Sequence, residues 1–458
     1  MNSLCGLGVS EVARQIREGA LSPVELLEAY LERIESVEPR VRAWVLVDRV
    51  GARRLAGERL ADVKAGRIRG PLHGVPVGFK DIYHVAGMVT TAGAGPFAHE
   101  RPAADAQAVA HVRAAGAVVL GKTTTTEFAY LDPAGTRNPW NPEHTPGGSS
   151  SGSAAAVASG MLPLALGSQT VGSTLRPAAY CGAIGFKPTH GRISCAGVVP
   201  LAWSFDHVGV FCRRVEGVAL TLQVLAGYDP ADPFSVPAPV DDYVAAVERE
   251  PVPPHLGIPR RFVDQAGAET IAHVESVAER FRRAGARLGE VQLPPAFEGL
   301  HGAGMLVVQV EATAYHQGRF GGRGAYREKF RSLLDAGAKV PATDYAVALK
   351  RCRLFRRQLD ALLEGFDALL MPVAGAPAPK GLASTGDPAF CAPWSFAGVP
   401  AIALPSGIAG DGLPLGVQLV GASFGEAGLL ATARWCEAIL GFQTAFAMKG
   451  GSGHAPTD

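Results

Sequence analysis

Neither sign of charge dominates this chain: 43 Lys and Arg face 42 Asp and Glu, for a formal net charge of +1. No basic stripe or polybasic tail breaks that balance, so nucleic acid and anionic membrane are not expected partners. Cysteine is scarce and unpatterned. The seven residues (Cys5, Cys181, Cys195, Cys212, Cys352, Cys391 and Cys436) are odd in number and scattered, with no paired spacing. That excludes a disulfide framework or a zinc site from the expectations and fits a reducing compartment. The opening MNSLCGLGVSEVARQIREG has no apolar core behind a basic start, so no secretory signal is expected. No uncharged apolar run reaches the ~18 residues that a membrane span needs. A cytoplasmic globular protein without a metal is the expectation.

What is present reads as alternating helix and strand. Ser22-Pro23-Val24-Glu25 is a capping box with proline at the first helical position, and LLEAYLERIESV follows in helical period. That helix is expected to stop before Glu38-Pro39, because proline disfavours helix in the residue before it. From Pro71 the pattern changes to short apolar runs, VPVGF and VVLG, separated by the helix-like DAQAVAHVRAAGA. Such alternation predicts an α/β layered fold. Proline and glycine punctuate Tyr228 to Pro259, read as a surface excursion. Two amphipathic helices follow (AHVESVAERFRRAG and DYAVALKRCRLFRRQLDALL), then three core strands (FDALLMP, AIALPSG and GVQLVG) and a closing helix, EAGLLATARWCEAIL. One domain over 1–448 is expected. It divides into a catalytic core (1–225), a variable helical excursion shaping the substrate pocket (226–365) and closing strands and helix (366–448), with a disordered tail at 449–458.

The densest chemistry lies between Thr145 and Thr189. Two Gly/Ser clusters, one ending at Gly152 and one centred on Ser173, are joined by the apolar run from Ala154 to Leu166. A solvated linker would lack that run. Upstream, Lys80 ends the apolar GVPVGF. Each piece has an ordinary explanation, a surface lysine or turn-forming serines. Together, two serines and a lysine can make a hydrolytic relay without histidine. Serine is a weak nucleophile that needs an adjacent base. Lysine serves only when neutral, and desolvation beside an apolar strand would bring its pKa from ~10.4 to roughly 7.

Many segments, in order, resemble the amidase signature family: HGVPVGFKD around Lys80, VAGMVTTAGA, TRNPWNPEHTPGGSSSGSAAAVASG, YCGAIGFKPTHGRIS, FDALLMPVAGAPAP and GVPAIALPSGIAGDGLPLGVQLVG. The resemblance implies an α/β/α sandwich around a large mixed twisted sheet. It also implies a cofactor-free Ser-cisSer-Lys hydrolase of C–N bonds. Lys80 would be the base, Ser149 the bridging serine behind a cis Gly148–Ser149 bond, and Ser173 the nucleophile that becomes the acyl-enzyme. The N–H groups of Thr170, Val171, Gly172 and Ser173 would form the oxyanion hole, where one donor is worth about 3 kcal/mol. Ser150 would support the loop or be a plain turn serine.

Where the family's commonest pattern has an aspartate and two glycines, this chain has Gln169, Val171 and Gly172, and it carries Leu175 with Arg176 one step later than the usual arginine. The expectation is that an aspartate–arginine pair has gone without stranding either partner, and that Val171 alters the oxyanion loop slightly. A shorter Glu127-to-Thr136 segment is expected to open the site. The motif departures weaken an assignment to glutamine-amidase subunits. The near-neutral charge, the short loop and the apolar middle section favour a neutral, hydrophobic anilide, aryl amide or aryl carbamate (urethane). A glutamine-amidase subunit of an amidotransferase is the alternative. Further from the pattern stand an α/β-hydrolase using Ser150 in Gly148–Gly152, with His190, His207, His273 or His316 as partner, and a non-catalytic assembly subunit. GAVVLGKT (116–123) fits the phosphate-loop pattern, but its apolar, strand-forming middle argues against it. A homo-oligomer is left open.

Overall fold

The structure, a computed structural model of the chain, describes residues 3–95, 101–317 and 326–442; the expected tail at 449–458 lies outside them. In chain order the strands are β1 (Trp44–Val47), β2 (Pro76–Lys80), β3 (Val118–Thr123), β4 (Leu164–Gln169), β5 (Ile184–Lys187) and β6 (His207–Cys212). They are followed by β7 (His255–Ile258), β8 (Arg287–Glu290), β9 (Ala368–Pro372), β10 (Ala401–Ile408) and β11 (Pro414–Val420). All belong to one 11-stranded mixed sheet of order β1-β3-β2-β4-β6-β5-β10-β11-β9-β7-β8. Helices complete the sandwich. Ser151–Ala158 and Leu175–Cys181 pack on each other, the first against β4 and the second against β10 and β11, while Val215–Leu225 and Glu426–Leu440 pack together with β6 and β10.

The centre of the sheet sets the site. β2 lies between β3 and β4, parallel to both. Every residue of these three strands is buried, which is why they read as continuous apolar runs instead of alternating ones. The register Phe79↔Leu166 carries Lys80, the last residue of β2, level with Gly167 in the C-terminal half of β4. Both parallel neighbours end at or just beyond this level, the edge where open α/β sheets bind ligands.

The runs VPVGF, VVLG, FDALLMP, AIALPSG and GVQLVG are β2, β3, β9, β10 and β11, and the closing helix is Glu426–Leu440. Ser22 caps its helix as expected, accepting from Val24 N at 3.2 Å and Glu25 N at 3.4 Å. That helix does not stop before Pro39 but runs to Val41 and ends on Arg42 at φ 56°. Two forces carry it past the proline. Val37 and Val41 are buried, and the Glu38 carboxylate accepts both Ala43 N and Trp44 N at 2.9 Å. Nor is Tyr228 to Pro259 a surface excursion throughout, because its last residues form β7 between β9 and β8, with Leu256 fully buried. The phosphate-loop lookalike is strand β3, and its Lys122 is spent on a buried ion pair with Asp81 at 2.7 Å. No helix among the described residues is long and apolar enough to cross a membrane.

Candidate active site

Lys80, at the end of β2, is wholly buried, and its Nζ donates to Ser149 Oγ at 2.6 Å and Ser168 Oγ at 2.8 Å. Burial brings its pKa from the ordinary 10.5 to about 7, against the opposing pull of the Asp206 carboxyl. The amine is thus poised to accept a proton near neutrality. Ser168 was missed by sequence reasoning, since a serine inside an apolar strand gives no sign of pointing at a lysine on the neighbouring strand.

The bond Gly148–Ser149 is cis, as the resemblance implied. Its loop is tied from several sides. Ser149 O accepts from Thr126 N at 3.2 Å, and Ser151 Oγ donates to Gly147 O at 2.7 Å. Gly147 sits at φ 80°, and a Cβ there would come within 2.8 Å of the Pro177 backbone, so only glycine fits. Ser150 is fully buried, donates to Ser168 O at 3.1 Å and accepts from Ser168 N at 3.2 Å. That double bond locks the loop onto β4 and leaves the Ser150 hydroxyl closed to a substrate. None of the four nominated histidines bonds to it among the described residues.

Ser173 lies between β4 and the helix Leu175–Cys181. Ser150 N donates to its carbonyl at 3.3 Å, which brings the two Gly/Ser clusters together. Ser173 keeps 8% exposure while Ser149 keeps 1% and Lys80 none, so it is the member of the three that reaches the surface. A direct hydrogen bond between the Ser149 and Ser173 hydroxyls is not made among the described residues. The N–H groups of Val171, Gly172 and Ser173 are not given to any other group among the described residues. Val171 does not take a positive φ, so valine is accommodated in the loop without the left-handed backbone that would exclude it.

Gln169 replaces a charged anchor with a neutral one. Its Oε1 accepts from Thr174 N at 2.8 Å and Leu175 N at 2.9 Å, capping the helix behind Ser173, and its Nε2 donates to Ser395 Oγ at 2.9 Å. Ser395 in turn donates to Val171 O at 2.7 Å. The expectation of a charge pair removed without a stranded partner is corrected at Arg176. One step along the helix turns this guanidinium toward the cis loop, where Nη2 donates to Gly148 O at 2.8 Å and Thr385 Oγ1 at 3.1 Å. It is 2% exposed, has no carboxylate in ion-pair contact among the described residues, and its Nε and Nη1 have no partner. Desolvation lowers its pKa accordingly.

Asp206, also missed, ties the loop from the other side. Thr170 Oγ1 donates to its Oδ1 at 2.5 Å, and Leu201 N and Ala202 N donate to Oδ2 at 2.9 and 3.0 Å. Desolvation raises its pKa from 3.8 to about 7 despite these bonds. A lone acidic residue at the head of the apolar strand HVGVFC was the signal that could have found it. Beside Ser168, Thr170 and Asp206 opens a cavity of about 180 Å³. Its wall comes mostly from residues 190–208 and 231–234, so the middle section 226–365 contributes only a short segment to it. In the short segment from Glu127 to Thr136, Glu127 and Asp132 accept from Arg327 N at 3.0 Å and Phe330 N at 2.9 Å, and Ala129 lines the cavity. No three His, Cys, Asp or Glu side chains come together in a form that could hold a metal ion among the described residues.

The amidase family pattern matches residues 25–430. The chain belongs to the amidase signature family. Among curated relatives it is 38% identical to a glutamyl-tRNA(Gln) amidotransferase subunit of Anaeromyxobacter sp. (strain K), over 96% of this chain and 97% of the relative. It is 39% identical to an amidase of Pseudomonas putida, over 90% and 92%. The solved peptide amidase of Stenotrophomonas maltophilia superposes with a TM-score of 0.79 at 30% identity, covering 94% of this chain and 96% of that one. As an amidase signature protein it is a hydrolase of amide C–N bonds.

Proposed function

We propose that this amidase signature enzyme works through a Lys80–Ser149–Ser173 relay and an acyl-enzyme on Ser173. The observation that carries the reading is the buried, near-neutral amine of Lys80 held 2.6 Å from the Ser149 hydroxyl. Lys80 takes the Ser149 proton as Ser149 takes that of Ser173. Ser173 Oγ attacks the amide carbonyl, and the tetrahedral oxyanion is met by the free N–H groups of the 170–173 loop. Run in reverse, the relay protonates the departing amine, which an amide requires because an amide anion leaves poorly. Water then releases the acid by the same path, with no cofactor in the scheme. A fluorophosphonate tests the assignment: a single adduct on Ser173 agrees with it, and labelling confined to Ser150 sinks it.

Two substrate readings stand on different observations. The glutamine-amidase component of an amidotransferase has the stronger backing among the curated relatives, several of which are named as glutamyl-tRNA(Gln) amidotransferase subunits. A stand-alone amidase for neutral, hydrophobic anilides, aryl amides or aryl carbamates, free to self-associate in the cytoplasm, is supported by the Pseudomonas relative and the apolar cavity. Ammonia release from glutamine together with co-purifying partner subunits decides for the first. Turnover of para-nitroanilides or aryl carbamates by the chain alone, lost in Ser173→Ala, decides for the second.

A further inference from the structure

A second cavity, of about 190 Å³, adjoins the one beside Ser168 and shares His190 and Phe234 with it. It is lined by none of Lys80, Ser149, Ser173 or the 170–173 loop. Three aromatic rings border it, and two of them, Phe205 and Phe396, stand with centroids 5.0 Å apart; Phe234 is the third. The helix Ala342–Leu363 adds Arg353 and Arg356, one turn apart and therefore on one face. No Asp or Glu lines the space.

Arg356 is held in a fixed orientation. Its Nε donates to Ser423 Oγ at 3.0 Å, and its guanidinium lies over the Phe424 ring, 5.7 Å from the centroid. Both Nη groups are left without a hydrogen bond among the described residues, and they reach solvent. Nη1 lies beside the cavity wall at Gly398, where a Cβ would stand 3.6 Å from it. Burial lowers the Arg356 pKa, and the Asp360 and Glu426 carboxylates oppose that from beyond ion-pair distance. Both acids are engaged elsewhere. Asp360 accepts from Ser423 N and Oγ at 2.9 Å; Glu426 accepts from Thr189 N at 2.9 Å and pairs with Arg192 at 3.3 Å. Arg353 is exposed and makes no ion pair among the described residues.

We propose that this cavity is a binding site for a small aromatic carboxylate, its ring among the phenylalanines and its charge on the two guanidiniums. The proposal goes beyond the relay and needs none of its residues. A guanidinium with two free Nη groups matches the two oxygens of a carboxylate. The size agrees as well. An apolar cavity of roughly 150 Å³ takes up benzene, and about 190 Å³ leaves room for the carboxylate beside the ring. Attraction comes from the arginines alone, because desolvation brings His190 to about 4 and keeps it neutral. Glu311 stands behind Ser204, accepting its N at 2.9 Å and its Oγ at 2.5 Å, and does not line the space. The site also adjoins both braces of the loop proposed to hold the oxyanion. Phe396 follows Ser395, which donates to Val171 O, and Phe205 precedes Asp206, which accepts from Thr170 Oγ1.

Calorimetric titration of the native protein with sodium benzoate tests this, with acetate and benzyl alcohol as controls lacking the ring and the charge. One benzoate per chain is expected, with a Kd at least about tenfold below that of either control. Arg356→Gln is expected to raise the benzoate Kd at least tenfold. Because that variant also gives up the Ser423 bond, Arg353→Gln, at an exposed position, is the second one, and at least a threefold rise is expected. Arg356→Lys keeps the charge without the planar fork and is expected to recover only part of the affinity. No measurable binding at about 10 mM benzoate overturns the proposal. So does a Kd unchanged in both glutamine variants, or benzyl alcohol binding as well as benzoate. Purely competitive inhibition of amide hydrolysis by benzoate, equal in the native protein and both glutamine variants, would put the ion at the reacting serine and also overturn it.

Discussion

Asp206 receives the Thr170 hydroxyl at 2.5 Å, in the loop that leads into Ser173, and at the same time opposes the desolvation that keeps Lys80 neutral. One acidic side chain therefore touches both the loop proposed to hold the oxyanion and the proton affinity of the proposed base, Lys80. The other titratable groups facing it do not change charge near pH 7 in a way that would mimic it. Burial raises the Tyr83 hydroxyl and the Cys195 thiol well above their usual values. Glu311, whose own pKa is raised by burial, sits one layer further out, bonded to Ser204 and Tyr345.

The rate should rise with pH through about 7, as Lys80 loses its proton. Asp206 is itself brought to about 7 and so carries its charge from about that pH upward; in Asp206→Asn that charge, which favours the protonated amine, is gone, so the Lys80 pKa falls. The acidic limb of kcat/KM is then expected to move to lower pH, by up to about 1 unit. A residue with a merely structural role would lower the plateau without moving the limb, and that outcome removes Asp206 from the base's environment.

Lys80 should also mark stability. Its folded pKa is depressed, so between about 7 and 10.5 the unfolded chain binds more protons than the native one. Native stability accordingly increases as pH rises across that window, by as much as about 1.4 kcal/mol per pH unit from this group. In Lys80→Met the dependence disappears. The difference in unfolding free energy between native protein and variant is thus expected to shift in favour of the native protein from pH 7 to pH 10. A constant difference would mean the amine is charged when folded. Activity in Lys80→Met should drop at least about 100-fold, the usual scale for loss of a general base.

Much of this arrangement could be read from residue order. VPVGFK announced a buried strand ending in a lysine, the paired Gly/Ser clusters announced tight backbone, and the resemblance attached roles to Ser149 and Ser173. Side-chain geometry was not legible. Nothing in LALGSQ says that Ser168 meets Lys80, because that depends on the Phe79↔Leu166 register between two strands far apart in sequence. The helix past Pro39 was hidden for a similar reason: burial of Val41 and the two bonds to Glu38 override a local preference. Arg176 could be seen one step out of place, but its direction depends on the rotation of a single helical residue.

That direction has a consequence for the cis loop. Among the described residues Arg176 reaches Gly148 O from a site with no ion-pair partner, and its burial is compensated there by the Gly148 carbonyl and the Thr385 hydroxyl. Arg176→Met removes an expensive buried cation, and a hydrophobic side chain of similar length can fill its place. The expected result is little or no loss of thermal stability but at least a tenfold loss of kcat, since the carbonyl beside Ser149 is no longer held. A variant that loses both in proportion would make Arg176 a packing residue only.

The chain of bonds from Gln169 through Ser395 ends on the Val171 carbonyl, in the loop proposed to hold the oxyanion. Ser395→Ala leaves the Gln169 amide without its acceptor and frees the peptide on which the neighbouring N–H groups are aligned. The loss is of order 1–3 kcal/mol for one buried, unsatisfied donor, and in catalysis it falls on the step in which oxyanion charge develops. Expected, therefore, is a fall in kcat of about tenfold with KM changed less than twofold, and Ser395→Thr restoring most of the rate because it keeps the hydroxyl. If KM rises and kcat holds, Ser395 shapes the ground-state complex instead. If threonine rescues nothing while folding is intact, the hydroxyl is not what aligns the loop.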